Sequence, residues 1–219
     1  MDELYLSLLK EASLDKEFAK RVLNTKLEVI GVKTPILKKI AKENLNYKFN
    51  NIKNNHCYEM VFLYFYINLF NLKKDINKQI EFIKNNINLI DSWAIVDSTV
   101  QLLENIDFKI IKYLVNEEEV FLRRYGYVSM LNLIKNKNNL EIIFSLIDSD
   151  ERYYVLMAEG WLLSYALIFH FEETFDFIKN KQFSLKIKQV AIQKAIDSYR
   201  VSSENKSRLK TLRKELKTK

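Results

Sequence analysis

The chain contains little of what β-sheets and disulfide-stabilised folds need. Of its 219 residues, three are glycine, one is proline and one is cysteine. Because sheets joined by tight turns normally use more glycine and proline, their scarcity favours helices joined by short polar loops. The single Cys57 excludes a disulfide within the chain and fits a reducing compartment.

The sequence also lacks the long apolar segments of membrane proteins and the leader of secreted ones. Its longest apolar run, residues 60–70, is interrupted by Asn68 and is too short to span a bilayer. The N-terminus carries no basic region followed by an apolar core. We therefore predict a cytoplasmic protein with no membrane partner, and a monomer is the simplest assembly.

Positive charge exceeds negative charge, with a formal net charge of +7. Residues 206–219 hold seven basic residues against Glu215 alone. This balance points weakly to phosphate-bearing partners. A solvated C-terminal helix or a frayed tail accounts for the same residues, so both interpretations stay open.

Apolar residues recur at helical spacing along nearly the whole chain, which predicts an all-α fold. Thr34 and Pro35 are typical of a helix start, with Thr34 as N-cap and Pro35 at the first helical position. Residues 29–33 are the one stretch that reads as extended, with Gly31 supplying a bend. Further helices are predicted at 55–70, 73–86, 91–104, 107–115, 117–136, 139–148, 151–169, 171–180, 185–198 and 203–216.

Five of the most apolar helices are expected to begin near residues 56, 91, 120, 152 and 186. Their separation of roughly 30 to 35 residues is the period of paired-helix repeats. Such pairs bury their apolar faces by stacking on their neighbours, and the stack forms a curved solenoid with a concave groove. No linker rich in Gly, Ser or Pro divides the chain, so we predict one domain over residues 1–219.

The sequence contains few residues that could support metal, cofactor or thiol chemistry. His56 and His170 are the only histidines, and each has a glutamate three residues on, Glu59 and Glu173. A lone His–Glu pair has too few ligands for a metal, and surface pairs on a helix are the expected arrangement. Three scattered glycines cannot form a phosphate-binding loop. We expect no metal and no cofactor, so any chemistry falls to carboxylate, aromatic and cationic side chains.

Trp93 and Asp97 stand one helical turn apart in the stretch SWAIVDS (92–98). That spacing puts an aromatic face and a carboxylate side by side on one helix. On a basic protein, the pair suggests a surface that meets a polyanion yet keeps one negative charge for chemistry. A core tryptophan beside a surface aspartate is the alternative interpretation.

Two later helices supply further candidates. Arg123 and Arg124 open an apolar helix, and Trp161 lies in the next one. In a stacked array, equivalent helices line one concave surface, so Trp93, Asp97, Arg124 and Trp161 are expected to converge. A core aromatic and a salt-bridged arginine remain the alternatives for Trp161 and Arg124.

Taken together, these segments resemble the DNA alkylation repair family, the AlkD-type glycosylases built from HEAT-like repeats. Residues 31–43 are similar to the family's segment Gly-x-x-x-Pro-x-Leu, and residues 92–98 to its Trp-x-x-[Val/Cys]-Asp-[Ser/Thr] element. Arg124 falls on a functional arginine of the family and Gly160-Trp161 on its second tryptophan. Residues 192–202 resemble the close of a short branch of this family.

The resemblance implies a fold of stacked HEAT-like antiparallel helix pairs and an activity without a cofactor. Such proteins excise N3- or N7-alkylated purines from double-stranded DNA by hydrolysis of the N-glycosidic bond. In that chemistry Asp97 stabilises the oxocarbenium-like sugar and positions a water. Trp93 and Trp161 cradle the sugar and backbone at the lesion. The AlkD type reaches the sugar from the backbone side, which fits a groove without a deep pocket.

Phosphate contacts fall to basic residues in the matching segments. The resemblance implies that Arg124 binds a phosphate beside the lesion. Arg123, Lys194 and Arg200 are the further DNA-binding candidates.

The chain departs from the family near the second tryptophan. Met157 and Ser164 stand where basic residues are expected, and Glu159 adds a carboxylate. If Glu159 faces the groove it weakens phosphate attraction, and like-charge repulsion from it would raise the pKa of Asp97. A non-catalytic HEAT-like module that binds damaged or bent DNA is therefore the alternative to a glycosylase, and a protein-interaction scaffold is a third possibility.

Overall fold

The chain folds almost entirely into helices in a computed structural model that describes residues 3–49 and 57–217. These residues form thirteen α-helices and three short 3-10 helices, and none of them lies in a β-strand. The prediction of an all-α fold is confirmed. The α-helices are α1 Glu3–Lys10, α2 Lys16–Leu23, α3 Thr34–Glu43, α4 Tyr58–Asn71, α5 Ile76–Asn86, α6 Trp93–Thr99, α7 Phe108–Val115, α8 Val120–Leu133, α9 Leu140–Ser145, α10 Tyr153–Phe169, α11 Phe171–Asn180, α12 Leu185–Asp197 and α13 Ser203–Glu215.

The chain divides into two compact units, residues 1–106 and 107–219. In the first unit, α4 is buried over most of its surface, and α3, α5 and α6 pack against it. The apolar character of α4 all the way round its axis is typical of a helix enclosed by others. The position of α6, which carries Trp93 and Asp97, follows from this central helix.

In the second unit, α10 packs between α8 and α12. Two glycines allow close contacts between helices of this unit, Gly160 between α10 and α12 and Gly126 between α8 and α7. A methyl group on Gly160 would come within 2.4 Å of Val190 on α12, and one on Gly126 within 2.6 Å of Val115 on α7. Any side chain at these positions would force the helices apart. The resulting row of apolar helices is compatible with stacked helix pairs.

Helix starts follow local capping chemistry, with one correction. The side chains of Asp15, Asp75, Ser92, Asp107 and Ser202 each accept a hydrogen bond from a backbone N–H in the first turn of the helix that follows. The predicted N-cap Thr34 is wrong by one residue, because Lys33 takes that position and Thr34 is already helical. The Lys33 side chain makes no capping hydrogen bond.

The predicted extended stretch between α2 and α3 is held by side-chain and backbone contacts. Gly31 adopts a left-handed backbone conformation with φ of 96°, and a Cβ atom there would lie 2.7 Å from the Leu14 carbonyl oxygen. The Gly31 carbonyl accepts hydrogen bonds from the N–H groups of Ser13 and Leu14, both at 3.0 Å. Only glycine combines this φ with this close approach. The bend predicted at Gly31 is confirmed.

Most predicted helices agree with the structure to within a few residues. The five most apolar ones begin at residues 58, 93, 120, 153 and 185. The predicted start at 55–56 lies outside the described residues. The helix predicted over 91–104 is shorter than expected, because α6 gives way to a 3-10 turn at Val100–Leu102.

Within the described ranges, we find no helix with the length and apolarity that crossing a membrane requires.

Candidate functional site

The start of α6 is fastened to the end of α2 by side chains that are distant in sequence. Asp91 accepts hydrogen bonds from the Thr25 hydroxyl and the Lys26 N–H, each at 2.7 Å. Ser92 lies in the next position, and its hydroxyl donates to the Leu23 carbonyl at 2.6 Å. These contacts fix the N-terminal turn of a helix that is only seven residues long.

Trp93 begins α6 and makes the next of these contacts. Its indole N–H donates to the Val22 carbonyl at 3.2 Å, and its side chain is half-buried. Because the ring's only donor is bound to the protein, the indole is held in one orientation. What it offers to a ligand is its aromatic face.

Asp97 lies one turn after Trp93 and is half-buried. It lies close enough to the buried Tyr58 to act on it electrostatically. Burial raises the pKa of the Tyr58 phenol above its ordinary value, and the carboxylates of Glu59, Asp91 and Asp97 raise it further. The Tyr58 hydroxyl therefore stays protonated near Asp97.

Glu59 is a buried carboxylate, which contradicts its prediction as half of a surface His–Glu pair. Its oxygens accept hydrogen bonds from the N–H groups of Ile30, Gly31 and Val32, at 2.9, 2.8 and 3.3 Å. The contact joins the start of α4 to the extended stretch that precedes α3. Its predicted partner His56 lies outside the described residues.

In the second unit, Arg123 forms ion pairs with two aspartates. Its Nε lies 3.1 Å from an oxygen of Asp150, and another guanidinium nitrogen contacts Asp148. The residue is 9 % exposed. Its charge is therefore balanced within the unit, and Arg123 links α8 to the segment before α10.

Arg124 is more deeply buried, with 5 % of its surface exposed. One guanidinium N–H group donates to the Tyr154 carbonyl, with a nitrogen–oxygen distance of 2.9 Å. Its side chain thus reaches from α8 to the first turn of α10. Any contact with a phosphate is restricted to the small exposed part of this residue.

Trp161, Tyr165 and Phe169 form an aromatic cluster on α10, and Arg200, which follows α12, contacts this cluster. The half-buried Trp161 packs edge-on against Tyr165, with ring centroids 5.9 Å apart. The exposed Arg200 places its guanidinium 5.7 Å from the centroid of Tyr165 and 4.6 Å from that of Phe169. Rings four residues apart share a helix face, so the cluster joins a predicted sugar-contacting residue to a predicted phosphate-binding one. Lys194 lies on α12 and is half-buried.

The three residues that depart from the family near Trp161 lie in different environments. Ser164 is buried, and its hydroxyl donates to the Trp161 carbonyl at 2.7 Å. Met157 is half-buried and lines a groove between α10, α12 and α13. Glu159 is fully buried and accepts a hydrogen bond from the Asp148 N–H at 2.9 Å. It faces the protein interior and not a groove.

The family model described as DNA alkylation repair enzyme matches residues 10–199. The chain therefore belongs to the DNA alkylation repair family. The match includes all the candidate residues except Arg200, which lies one position beyond it. No curated protein matches the chain.

The structure divides the candidates between the two units. Trp93 and Asp97 share α6 in the first unit, whereas Arg123, Arg124, Trp161, Lys194 and Arg200 belong to the second. Their predicted convergence on one surface stays a prediction. In the described ranges, no group of three His, Cys, Asp or Glu side chains is placed to hold a metal ion.

Sequence reasoning missed the residues that support α6. Asp91 and Ser92 precede Trp93 directly, yet their partners lie 65 to 69 residues earlier, at Thr25, Lys26 and Leu23. No local pattern indicates such contacts. Ser92 also caps the helix by accepting a hydrogen bond from the Ala94 N–H at 3.3 Å; a Ser directly before an apolar helix is a local signal that could have indicated this cap.

Proposed function

We propose that this member of the DNA alkylation repair family is a DNA glycosylase that excises N3- and N7-alkylated purines from double-stranded DNA. The observation that carries the proposal is the geometry of α6. The half-buried Asp97 lies one turn from an indole ring that is fixed to the Val22 carbonyl. A protein that only bound phosphates would gain nothing from a carboxylate in this position.

The chemistry needs an anion at the sugar. An alkylated purine carries a formal positive charge and departs readily with the electron pair of the N-glycosidic bond. As the bond breaks, positive charge develops on the deoxyribose, and Asp97 stabilises it. Water then bonds to the anomeric carbon and transfers a proton to the Asp97 carboxylate or to solvent.

The aromatic and cationic residues have supporting roles in this proposal. The faces of Trp93 and Trp161 attract the cationic sugar and contact the backbone near the lesion. Arg124 contacts a phosphate beside the lesion, and Lys194 and Arg200 contact phosphates farther away. Because Arg123 already pairs with Asp148 and Asp150, we expect it to contribute least. The fold we propose is a curved solenoid of HEAT-like antiparallel helix pairs that acts as a cytoplasmic monomer without a cofactor.

The test is release of free base from methylated duplex DNA by the wild-type chain and by Asp97→Asn. We expect the substitution to lower the rate roughly 100-fold or more, since removing one electrostatic stabiliser of a transition state has that effect. The matched control is Asp107→Asn, which neutralises an exposed aspartate that caps α7. Circular dichroism checks that both variants fold. Full activity in Asp97→Asn would remove Asp97 from this role.

A non-catalytic module that binds damaged or bent DNA is the second candidate. It is favoured by the uncharged Met157 and Ser164 near Trp161, where basic residues are expected in the family. It predicts salt-dependent affinity for DNA with no base release by the wild-type chain. The same assay with a parallel binding measurement separates the two functions.

A further inference from the structure

One face of α10 carries a row of apolar side chains that are not fully buried. Its members stand four residues apart, and we call them the α10 stripe: Tyr153, Met157, Trp161, Tyr165 and Phe169. Within residues 155–167, the three positions that remain accessible to solvent all belong to this stripe. Because residues four apart share a helix face, the stripe runs along α10 for about 24 Å. The accessible face of a surface helix is normally polar, so the α10 stripe indicates an interaction surface.

Basic residues flank the α10 stripe at both ends. At its N-terminal end, a groove of about 500 Å³ lies between α10, α12 and α13 and begins at Tyr153 and Met157. None of the described residues that line this groove is Asp or Glu, and its cations are Lys186, Arg213 and Lys217. At the C-terminal end of the stripe, the Arg200 guanidinium lies 4.6 Å from the centroid of Phe169. Aromatic rings between cations favour a ligand that combines flat groups with repeated negative charges.

The cations of the groove are available to such a ligand. Lys186 pairs with Glu151, but the two side chains are 66 % and 46 % exposed, and an exposed ion pair contributes little. Arg213 donates a hydrogen bond to the side chain of Gln193, which is neutral and leaves the guanidinium charge unbalanced. Lys217 is exposed. A phosphate can therefore join or replace these partners.

Helix α13 sets this groove apart from the segment that defines the family. The family match ends at residue 199, whereas α13 begins at Ser203. Arg213 lies on α13 and Lys217 follows it, so two of the three cations of the groove lie beyond the family match. The floor of the groove is apolar and consists of Leu156, Met157 and Val190. An apolar floor favours the face of a base over a phosphate at that position.

We propose that the α10 stripe and the groove bind single-stranded DNA, with unpaired bases against Tyr153 and Met157 and phosphates on Lys186, Arg213 and Lys217. Unpaired bases expose π faces that stack on aromatic side chains whatever the sequence. In a duplex, neighbouring bases cover those faces, so a duplex would leave the stripe without a partner. DNA is chosen because the chain belongs to a DNA repair family. The inference goes beyond the proposed glycosylase and does not use Asp97.

The test is fluorescence anisotropy of the full chain with a labelled oligothymidine of about 12 nucleotides and, in parallel, with a labelled duplex of equal length. Tyr153→Ala should weaken binding of the single strand about 5-fold or more, since stacking on one base contributes that much. The same variant should leave duplex affinity unchanged. Tyr113→Ala is the control, because Tyr113 is also an exposed tyrosine of the second unit but lies on α7. Circular dichroism checks that both variants fold.

Salt dependence separates phosphate contacts from stacking. Arg213→Ala should reduce the slope of log affinity against log salt concentration by about 0.7 for the single strand. Tyr153→Ala should lower the affinity and leave that slope unchanged. Lys112→Ala, which removes an exposed lysine of α7, is the control and should change neither quantity.

The inference is overturned if Tyr153→Ala leaves binding of the single strand unchanged, or weakens binding of the single strand and of the duplex equally. It is also overturned if a polyglutamate peptide displaces the oligothymidine as well as unlabelled oligothymidine does, because the surface would then be a site for acidic peptides. The proposed glycosylase fails separately. Asp97→Asn should bind the single strand as the wild type does, and Tyr153-dependent binding without base release would support this inference and overturn the glycosylase.

Discussion

At the residue scale, Glu159 is a carboxyl group in an environment that favours its neutral form. It is fully buried on α10, and one of its oxygens has no hydrogen-bond partner among the described residues. Burial raises its pKa to about 8, and the Asp148 carboxylate contributes in the same direction. The Asp148 N–H, which donates to the other oxygen, opposes the shift only in part.

This environment predicts a pH-dependent gain in stability for Glu159→Gln. The folded chain binds the proton more tightly than the unfolded chain, whose pKa is near 4.5, so wild-type stability is lost as the pH rises through about 8. Glutamine stays neutral and still accepts from the Asp148 N–H. We expect the variant's advantage to grow from pH 5 to pH 8.5, by at most about 1.4 kcal/mol for each pH unit, in urea unfolding.

Glu173→Gln is the control for this experiment. Glu173 is exposed and paired with Lys137, which lowers its pKa below the ordinary value. Its carboxylate is therefore ionised in both states above pH 5, and the variant should show no such trend. A Glu159→Gln chain that is less stable than the wild type at pH 8.5 would mean that the fold needs the ionised carboxylate.

At the element scale, α6 depends on contacts that lie outside it. A helix of seven residues has little stability of its own. Its first turn is fixed by hydrogen bonds from residues 91–93 to the end of α2, and its buried face packs against α4. The positions of Trp93 and Asp97 therefore depend on α2 and on α4.

Replacing Ser92 with alanine tests this dependence. The Ser92 hydroxyl caps the Ala94 N–H and also donates to the Leu23 carbonyl. Losing both contacts should lower the free energy of unfolding by about 2–3 kcal/mol. We also expect slower base release, because Trp93 and Asp97 are held less firmly. Urea unfolding and the base-release assay measure the two effects.

Ser202 provides the matched comparison. It also caps a helix, α13, but the one hydrogen bond of its hydroxyl within the described part of the chain comes from the exposed N–H of Asn205. Ser202→Ala should therefore cost about 1 kcal/mol and leave base release unchanged. Equal losses of stability in the two variants would show that the contact with Leu23 adds nothing to the cap.

At the scale of the whole molecule, the effect of the net charge of +7 on DNA binding depends on where the basic residues lie. Several basic residues pair with acidic ones, as Arg208 does with Glu172 and Lys137 with Glu173. Arg123 and Arg124 are buried. Arg200 is exposed at the edge of the aromatic cluster and Lys194 is half-buried.

This distribution predicts that Arg200 and Lys194 contribute to the salt dependence of DNA binding. If each contacts one phosphate, its substitution by alanine should reduce the slope of log affinity against log salt concentration by about 0.9. Lys137→Ala, which removes an ion-paired lysine, should leave the slope unchanged. Fluorescence anisotropy with duplex DNA over a range of salt concentrations measures it. Unchanged slopes in both variants would exclude these residues from the phosphate contacts.

The sequence by itself determined the helical class, most helix bounds and the family. Helical periodicity and capping residues act over a few positions, so they can be read locally. The proximity of Trp93 and Asp97 can also be predicted locally, because residues four positions apart on one helix lie on the same face. The prediction of a single domain over residues 1–219 and of a curved groove depends on how units are arranged and stays a prediction.

Only the tertiary structure decided the environments of the candidate residues. Glu59 is buried because its carboxylate binds the backbone around Gly31, and Arg123 is neutralised by Asp148 and Asp150. The Trp93 indole is fixed by Val22, 71 residues earlier in the chain. The sequence predicted a groove without a deep pocket and did not indicate the cavity of about 200 Å³ beside Trp93. Burial, charge pairing and cavities arise from residues that are distant in sequence and meet only when the helices pack, so no local pattern specifies them.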